Sequence, residues 1–142
     1  VMLSPHSISK LEKLMREHNS PIGTLASELK EDEIEDQNVV KVEVEKDLKG
    51  DNFLKAKDFF RIKKDLTNEK IHHHIGIYAF TNIALTKYVK FARSKLEIER
   101  NLEQMRALEN NLIIKVGLSD SLPRGVDSEK DLEIISKEMK LL

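Results

Sequence analysis

The stretch from Ile71 to Phe80, IHHHIGIYAF, decides how the rest of the chain is read. It has the pattern of a β-strand, and a period of two puts His72, His74, Gly76, Tyr78 and Phe80 on one face and His73, Ile75, Ile77 and Ala79 on the other. Neighbouring histidines on a strand point opposite ways. Only His72 and His74 can therefore share an ion, and zinc would need further ligands from elsewhere. A pocket-lining imidazole at His74, followed by Gly76 where a ligand or backbone approaches closely, is one reading; a core or edge histidine is the other. His73 belongs with the apolar face or its edge.

Working outward, NVVKVEVE alternates, with Val40, Val42 and Val44 on one side and Lys41 and Glu43 on the other, and reads as a second strand. Residues 47–70 are irregular and charged, with Phe53, Phe59 and Phe60 as large anchors, and read as a long surface excursion. IGTLAS (Ile22 to Ser27) is a short strand candidate. Before it, Ser4 is a candidate N-cap and Pro5 a first helical residue, with Ile8, Leu11, Leu14 and Met15 at helical spacing. ELKEDEIED packs six acids into nine residues and reads as a solvated loop or helix face. After the central strand, Thr81 caps one helix, and Ser94 with Glu97 forms a capping box opening KLEIERNLEQMRALENN, with Leu102, Met105 and Leu108 as a seam ending near Asn110 or Asn111. LIIKVG is the next strand. Ser128 with Asp131 starts a C-terminal helix. Strands alternating with helices argue an α/β fold with at least part of the sheet parallel.

The 142 residues suit a single domain. Lys plus Arg (24) nearly balance Asp plus Glu (25), for a formal charge of −1, so no global field favours nucleic acid or an anionic membrane. With no cysteine, disulfide frameworks, thiolate zinc sites and cysteine nucleophiles are excluded. No apolar run approaches the roughly 18 residues of a membrane-spanning helix, and the chain reads as soluble. Gly-rich phosphate loops of the Walker or dinucleotide type and the G-x-S-x-G elbow are absent from the sequence.

Two further places carry candidate chemistry. Glu103 and Gln104 sit together on the helix held by Leu102, Met105 and Leu108, either as an ordinary solvent face or as ligand-reading groups. Asp127, between Gly125-Val126 and a helix start, suits part of an N-cap or an oxygen ligand for a hard cation such as magnesium.

Taken in order and at these separations, NVVKV, HHIGIYAF, LEQMRALEN and GVDSEKDLE resemble the 3-deoxy-manno-octulosonate (KDO) cytidylyltransferase family, also called CMP-KDO synthetases, over essentially the whole chain. The resemblance implies a nucleotide-diphospho-sugar transferase-like mixed α/β sheet flanked by helices. It implies a cytoplasmic, magnesium-dependent and usually homodimeric enzyme that joins CTP and KDO, releasing pyrophosphate, for lipopolysaccharide synthesis. Carried over by position, His74, Tyr78, Glu103 and Gln104 would line the sugar pocket, and Asp127 would bind magnesium. Arg61, in FFR, would stand where the family has a serine-arginine pair and would steady the sugar acid or phosphates.

Family members begin with a strand and basic loop that grip the nucleotide, then reach a GDEP-like turn with another magnesium carboxylate. Val1-Met2-Leu3-Ser4-Pro5 resembles the stretch just after that turn. The expectation is thus an N-terminally truncated chain carrying the C-terminal, sugar-binding and dimerising portion, inactive alone. Lys95 replaces a common proline, Ser128 a usual threonine, and KGDNFLKAKDFFR the usual strand end. These departures bear on which acidic sugar is used; an amino-substituted KDO or a sialic-type acid is the alternative, as is a non-catalytic dimerisation module.

Overall fold

The computed structural model describes residues 5–62 and 70–119. Through these residues run helix α1 (Pro5–His18), strand β1 (Ile22–Ser27), a 3-10 turn (Glu31–Glu33), strands β2 (Lys41–Val44), β3 (Phe53–Phe60) and β4 (Ile71–Phe80), helices α2 (Asn82–Lys90), α3 (Lys95–Arg100) and α4 (Gln104–Glu109), and strand β5 (Ile114–Leu118). The Ser4 cap, Asp127 and the helix expected after Ser128 lie outside the described residues.

All six residues of β1 are buried, because the strand is paired on both sides. It runs parallel to β5 and antiparallel to β4. The long strands then divide their pairing: β4 gives Ile71 to His73 to β2 and His73 to Phe80 to β1, while β3 pairs β2 near its end and β5 near its start. Hydrogen bonding thereby closes through β1, β4, β2, β3 and β5 as a barrel. The mixed sheet with flanking helices is as expected, with its parallel component confined to the β1–β5 pair among the described residues.

Strand β3 corrects the surface excursion expected over residues 47–70. Its anchors sit at its two ends, and between Leu54 and Phe59 only Ala56 carries the inward alternation, so the period is faint in the sequence. Strand β4 has the two faces expected of it. Tyr78 and Phe80 pack with the larger core of Ile22, Val42, Phe59 and Met105. Ile75, Ile77 and Ala79 pack with Leu11, Leu14 and Leu25 beneath α1. Each such leucine or isoleucine contributes roughly 1.5–3 kcal/mol when fully buried.

Helix α1 can approach the sheet this closely because two strand positions under it are glycine. A Cβ on Gly23 would lie 2.6 Å from Met15 Sδ and 2.7 Å from Phe53 Cζ, and one on Gly117 would lie 2.5 Å from Leu14 Cδ1. At Gly76 no backbone approaches closely: a Cβ there would meet no protein atom within 4 Å. Gly76 and Ile77 are instead the extra residues of a β-bulge, since Thr24 pairs with Tyr78 and Leu25 with Ile75.

Lys41, on the strand face opposite Val42 and Val44, is also fully buried, with Nζ donating to the Asp36 carbonyl at 2.8 Å and the Arg61 carbonyl at 2.5 Å. Burial lowers its pKa, against the opposing pull of Asp36 and Glu33. The single helix read after Ser94 is two. The Ser94–Glu97 capping box forms as expected, but Asn101 turns left-handed at φ 55° and ends α3, so that Gln104 begins a new helix.

Candidate substrate site

Five segments converge above the larger core: β1, the second half of β4, α2, the start of α4 and the start of β5. α2 is positioned by Thr81, whose hydroxyl accepts from the Ala84 amide at 3.1 Å. Helix α4 is positioned by an ion pair across the α3–α4 turn. Arg106 donates from Nε to Glu97 Oε1 at 2.9 Å and from Nη2 to Oε2 at 2.6 Å, a bidentate geometry that fixes orientation as well as distance. Those hydrogen bonds hold the buried Glu97 carboxyl below its usual range. The same guanidinium stacks 4.9 Å from the Tyr88 ring centroid, and Tyr88 donates its hydroxyl hydrogen to the Glu103 carbonyl at 3.1 Å. The Ser94–Glu97 box is visible in the sequence; that Glu97 also anchors α4 is not, because its partner lies nine residues on, past the Asn101 turn.

The result is a cavity of about 200 Å³. Tyr78, Glu103 and Gln104 stand in its wall together with Tyr88, and Ile22, Phe80, Leu85 and Ile114 make much of the rest apolar. Three of the five non-metal site residues expected from the sequence are thus brought to one place. Burial pushes the Tyr78 phenol up, so it remains a protonated donor at neutral pH.

His74 is set one layer behind that wall. Its ring meets Tyr78 at 5.5 Å and Phe59, edge-on, at 4.9 Å, and its Nε2 lies 2.9 Å from Thr24 Oγ1. Burial, with a smaller contribution from His73, lowers its pKa to about 3, so the ring is neutral at neutral pH. The other two histidines diverge: His72 is buried, and His73 joins Glu33 at 2.7 Å, tying the 3-10 turn to β4.

Arg61 is elsewhere. Its guanidinium donates to the carbonyls of Gln37, Arg100 and Asn101, and it borders a separate cavity with Asp58, Phe60, Ile62, Glu99 and Arg100. Arg100 in turn is paired with Asp58 at 2.5 Å. In this geometry Arg61 ties the end of β3 to the α3–α4 turn and shares no wall with Tyr78. Among the described residues, no group of three or more His, Asp or Glu side chains is placed to hold a metal ion. Among the same residues, no helix is long and apolar enough to cross a membrane.

A concave, mostly apolar cavity with a few convergent polar groups on an α/β scaffold has the form of a small-molecule site. The chain belongs to the cytidylyltransferase family, whose model matches residues 1–117. It is 41% identical over 133 residues to a 3-deoxy-manno-octulosonate cytidylyltransferase of Bartonella tribocorum, covering 93% of this chain and 52% of that protein. To the enzyme of the same name from Rhodopseudomonas palustris strain BisB5 it is 45% identical over 113 residues, covering 79% and 45%. A solved structure of CMP:2-keto-3-deoxy-manno-octonic acid synthetase complexed with CTP superposes with a TM-score of 0.80 at 25% identity, over 99% of this chain and 58% of that one. The chain therefore spans about half the length of the curated relatives it matches.

Proposed function

We propose that this chain supplies the sugar-recognising portion of a cytidylyltransferase that transfers CMP from CTP to KDO, for lipopolysaccharide synthesis. A hydroxyl oxygen of the sugar acid attacks the α-phosphorus of CTP; the bond to that oxygen forms, the bond to the bridging oxygen of pyrophosphate breaks, and the hydroxyl proton leaves to solvent or base. Such a step needs positioning and charge cancellation more than covalent help from the protein. The residues present here address positioning. Tyr78 donates, Gln104 both donates and accepts, and Glu103 accepts, so a polyhydroxylated acid is read through hydrogen bonds that an analogue lacking a hydroxyl leaves unmade.

The convergence of Tyr78, Glu103 and Gln104 on one cavity carries this reading, supported by relatives named for the same reaction. Magnesium, through Asp127, belongs to the proposal, and would supply charge cancellation on the phosphates. Among the described residues, no cluster of ligands is placed to hold it. A cytoplasmic location and a homodimer likewise belong to the proposal.

The test is CMP-sugar formation by protein made from the complete reading frame that contains this chain, with CTP, magnesium and either KDO, an amino-substituted KDO or a sialic-type acid. Transfer favouring KDO is expected. Preference for another acid would change the substrate, and absence of any transfer would leave a non-catalytic dimerisation module.

A further inference from the structure

Thr24 is buried in the middle of β1, opposite Tyr78, at the step where the β-bulge of β4 is accommodated. Its hydroxyl oxygen lies 2.6 Å from the Ile77 carbonyl, 3.2 Å from the Ile75 carbonyl and 2.9 Å from His74 Nε2. A threonine hydroxyl has one hydrogen, and a carbonyl oxygen can only accept. That hydrogen is therefore committed to the backbone of the bulge, chiefly to Ile77, and the contact with His74 is satisfied only if the imidazole donates. The opposite tautomer would set the lone pair of Nε2 against an oxygen with no hydrogen to offer.

We propose that Thr24 is a positioning residue of the sugar site: by binding the bulge carbonyl and accepting from His74 Nε2–H, it fixes the imidazole as one tautomer and holds its ring against Tyr78, which stands in the cavity wall. The inference rests on the sugar-recognising function proposed above. It assigns one polarity to His74, a donor to Thr24, so that the ring acts on the site through Tyr78, the donor beside it in the wall. One residue thereby couples the shape of the bulge to the chemistry of the site, consistent with the frequent occurrence of bulges where a strand re-aims a side chain. The low proton affinity of the buried ring keeps this polarity unchanged over the neutral range.

The experiment uses the complete protein labelled with 15N-histidine. Long-range proton–nitrogen spectra at pH 7 read the tautomer, with the His74→Gln variant identifying its signals, and steady-state kinetics on the same samples read KM for KDO and for CTP. The wild type should show Nε2 protonated and Nδ1 bare. Thr24→Val should abolish that single tautomer and raise KM for KDO roughly tenfold, the worth of about one hydrogen bond, with KM for CTP unchanged. Thr24→Ser should restore both. A protonated Nδ1 in the wild type, or a Val variant that keeps its tautomer, would overturn the assignment to Thr24; a changed tautomer with unchanged KM would overturn its link to the sugar. Absence of KDO-dependent turnover in the wild type would refute the proposed function instead, and the nitrogen spectra would still decide the tautomer.

Discussion

Acidification should destabilise this fold through His74, by an amount set by one proton. An unfolded histidine takes up a proton near pH 6.5, whereas His74 in the folded chain does so only near 3. Between those values the unfolded state binds more protons than the folded state. The contribution is fully present above pH 6.5, falls as the pH falls, and is lost by the folded value. The limiting slope is about 1.4 kcal/mol per pH unit, so going from pH 7 to pH 5 should remove about 2 kcal/mol. That is a large fraction of a domain's usual margin of about 5–15 kcal/mol, and in urea it moves the midpoint by roughly 1 M. His72, whose pKa burial also lowers, adds to the trend in the same direction. His74→Gln keeps an amide N–H for Thr24 and cannot titrate, so the difference between wild type and variant isolates one residue. Urea unfolding followed by far-ultraviolet circular dichroism at pH 7, 6 and 5 is the assay. Parallel loss of stability in the two proteins would refute the claim that His74 is held neutral by burial.

Three further perturbations follow from named contacts. Gly23→Ala should lose roughly 1–3 kcal/mol by overpacking α1 against β1, and Met15→Ala in the same protein should relieve part of that loss, because the Met15 sulfur is the nearest atom to the added methyl; thermal midpoints of the single and double variants decide it. Lys41→Met removes the donor shared by the Asp36 and Arg61 carbonyls and should destabilise by about 2–4 kcal/mol in urea titrations, while an unchanged midpoint would mean that the buried ammonium contributes nothing net. Arg106→Ala leaves the Glu97 carboxylate buried without its bidentate partner. The folded pKa of Glu97 is held low, so its stabilising effect is present above the unfolded carboxylate range and lost in acid; the variant should lose stability at pH 7 and show a weaker fall between pH 5 and pH 3.

Much of this was legible in residue patterns and some was not, for physical reasons that differ by element. The central strand was legible because its alternation is strong on both faces: apolar residues meet α1 on one side and aromatic rings line up on the other. Caps were legible at Thr81 and Ser94 because they depend on neighbours three residues away. Strand β3 was not, since lysines and an aspartate interrupt its apolar signal and its pairing partners are distant in the chain. The buried Lys41 defeats any reading by residue type, as only the folded loop brings two carbonyls to its ammonium. At the site, Tyr78, Glu103 and Gln104, which the family resemblance assigns to the sugar pocket, stand in one cavity wall, whereas Arg61 is directed to three backbone carbonyls beside a different cavity. Thr24 carried no signal of its own in a short apolar strand; its meaning comes from the bulge opposite it.

The most direct test of the central claim is the steady-state behaviour of Gln104→Leu in the complete protein. Gln104 is the first residue of α4 and stands in the cavity wall, and leucine keeps its bulk while removing its hydrogen-bonding groups. The expected result is a rise in KM for KDO of about tenfold or more, with KM for CTP unchanged. Equal KM values for KDO in wild type and variant, or a change confined to CTP, would show that this cavity is not where the sugar acid is read.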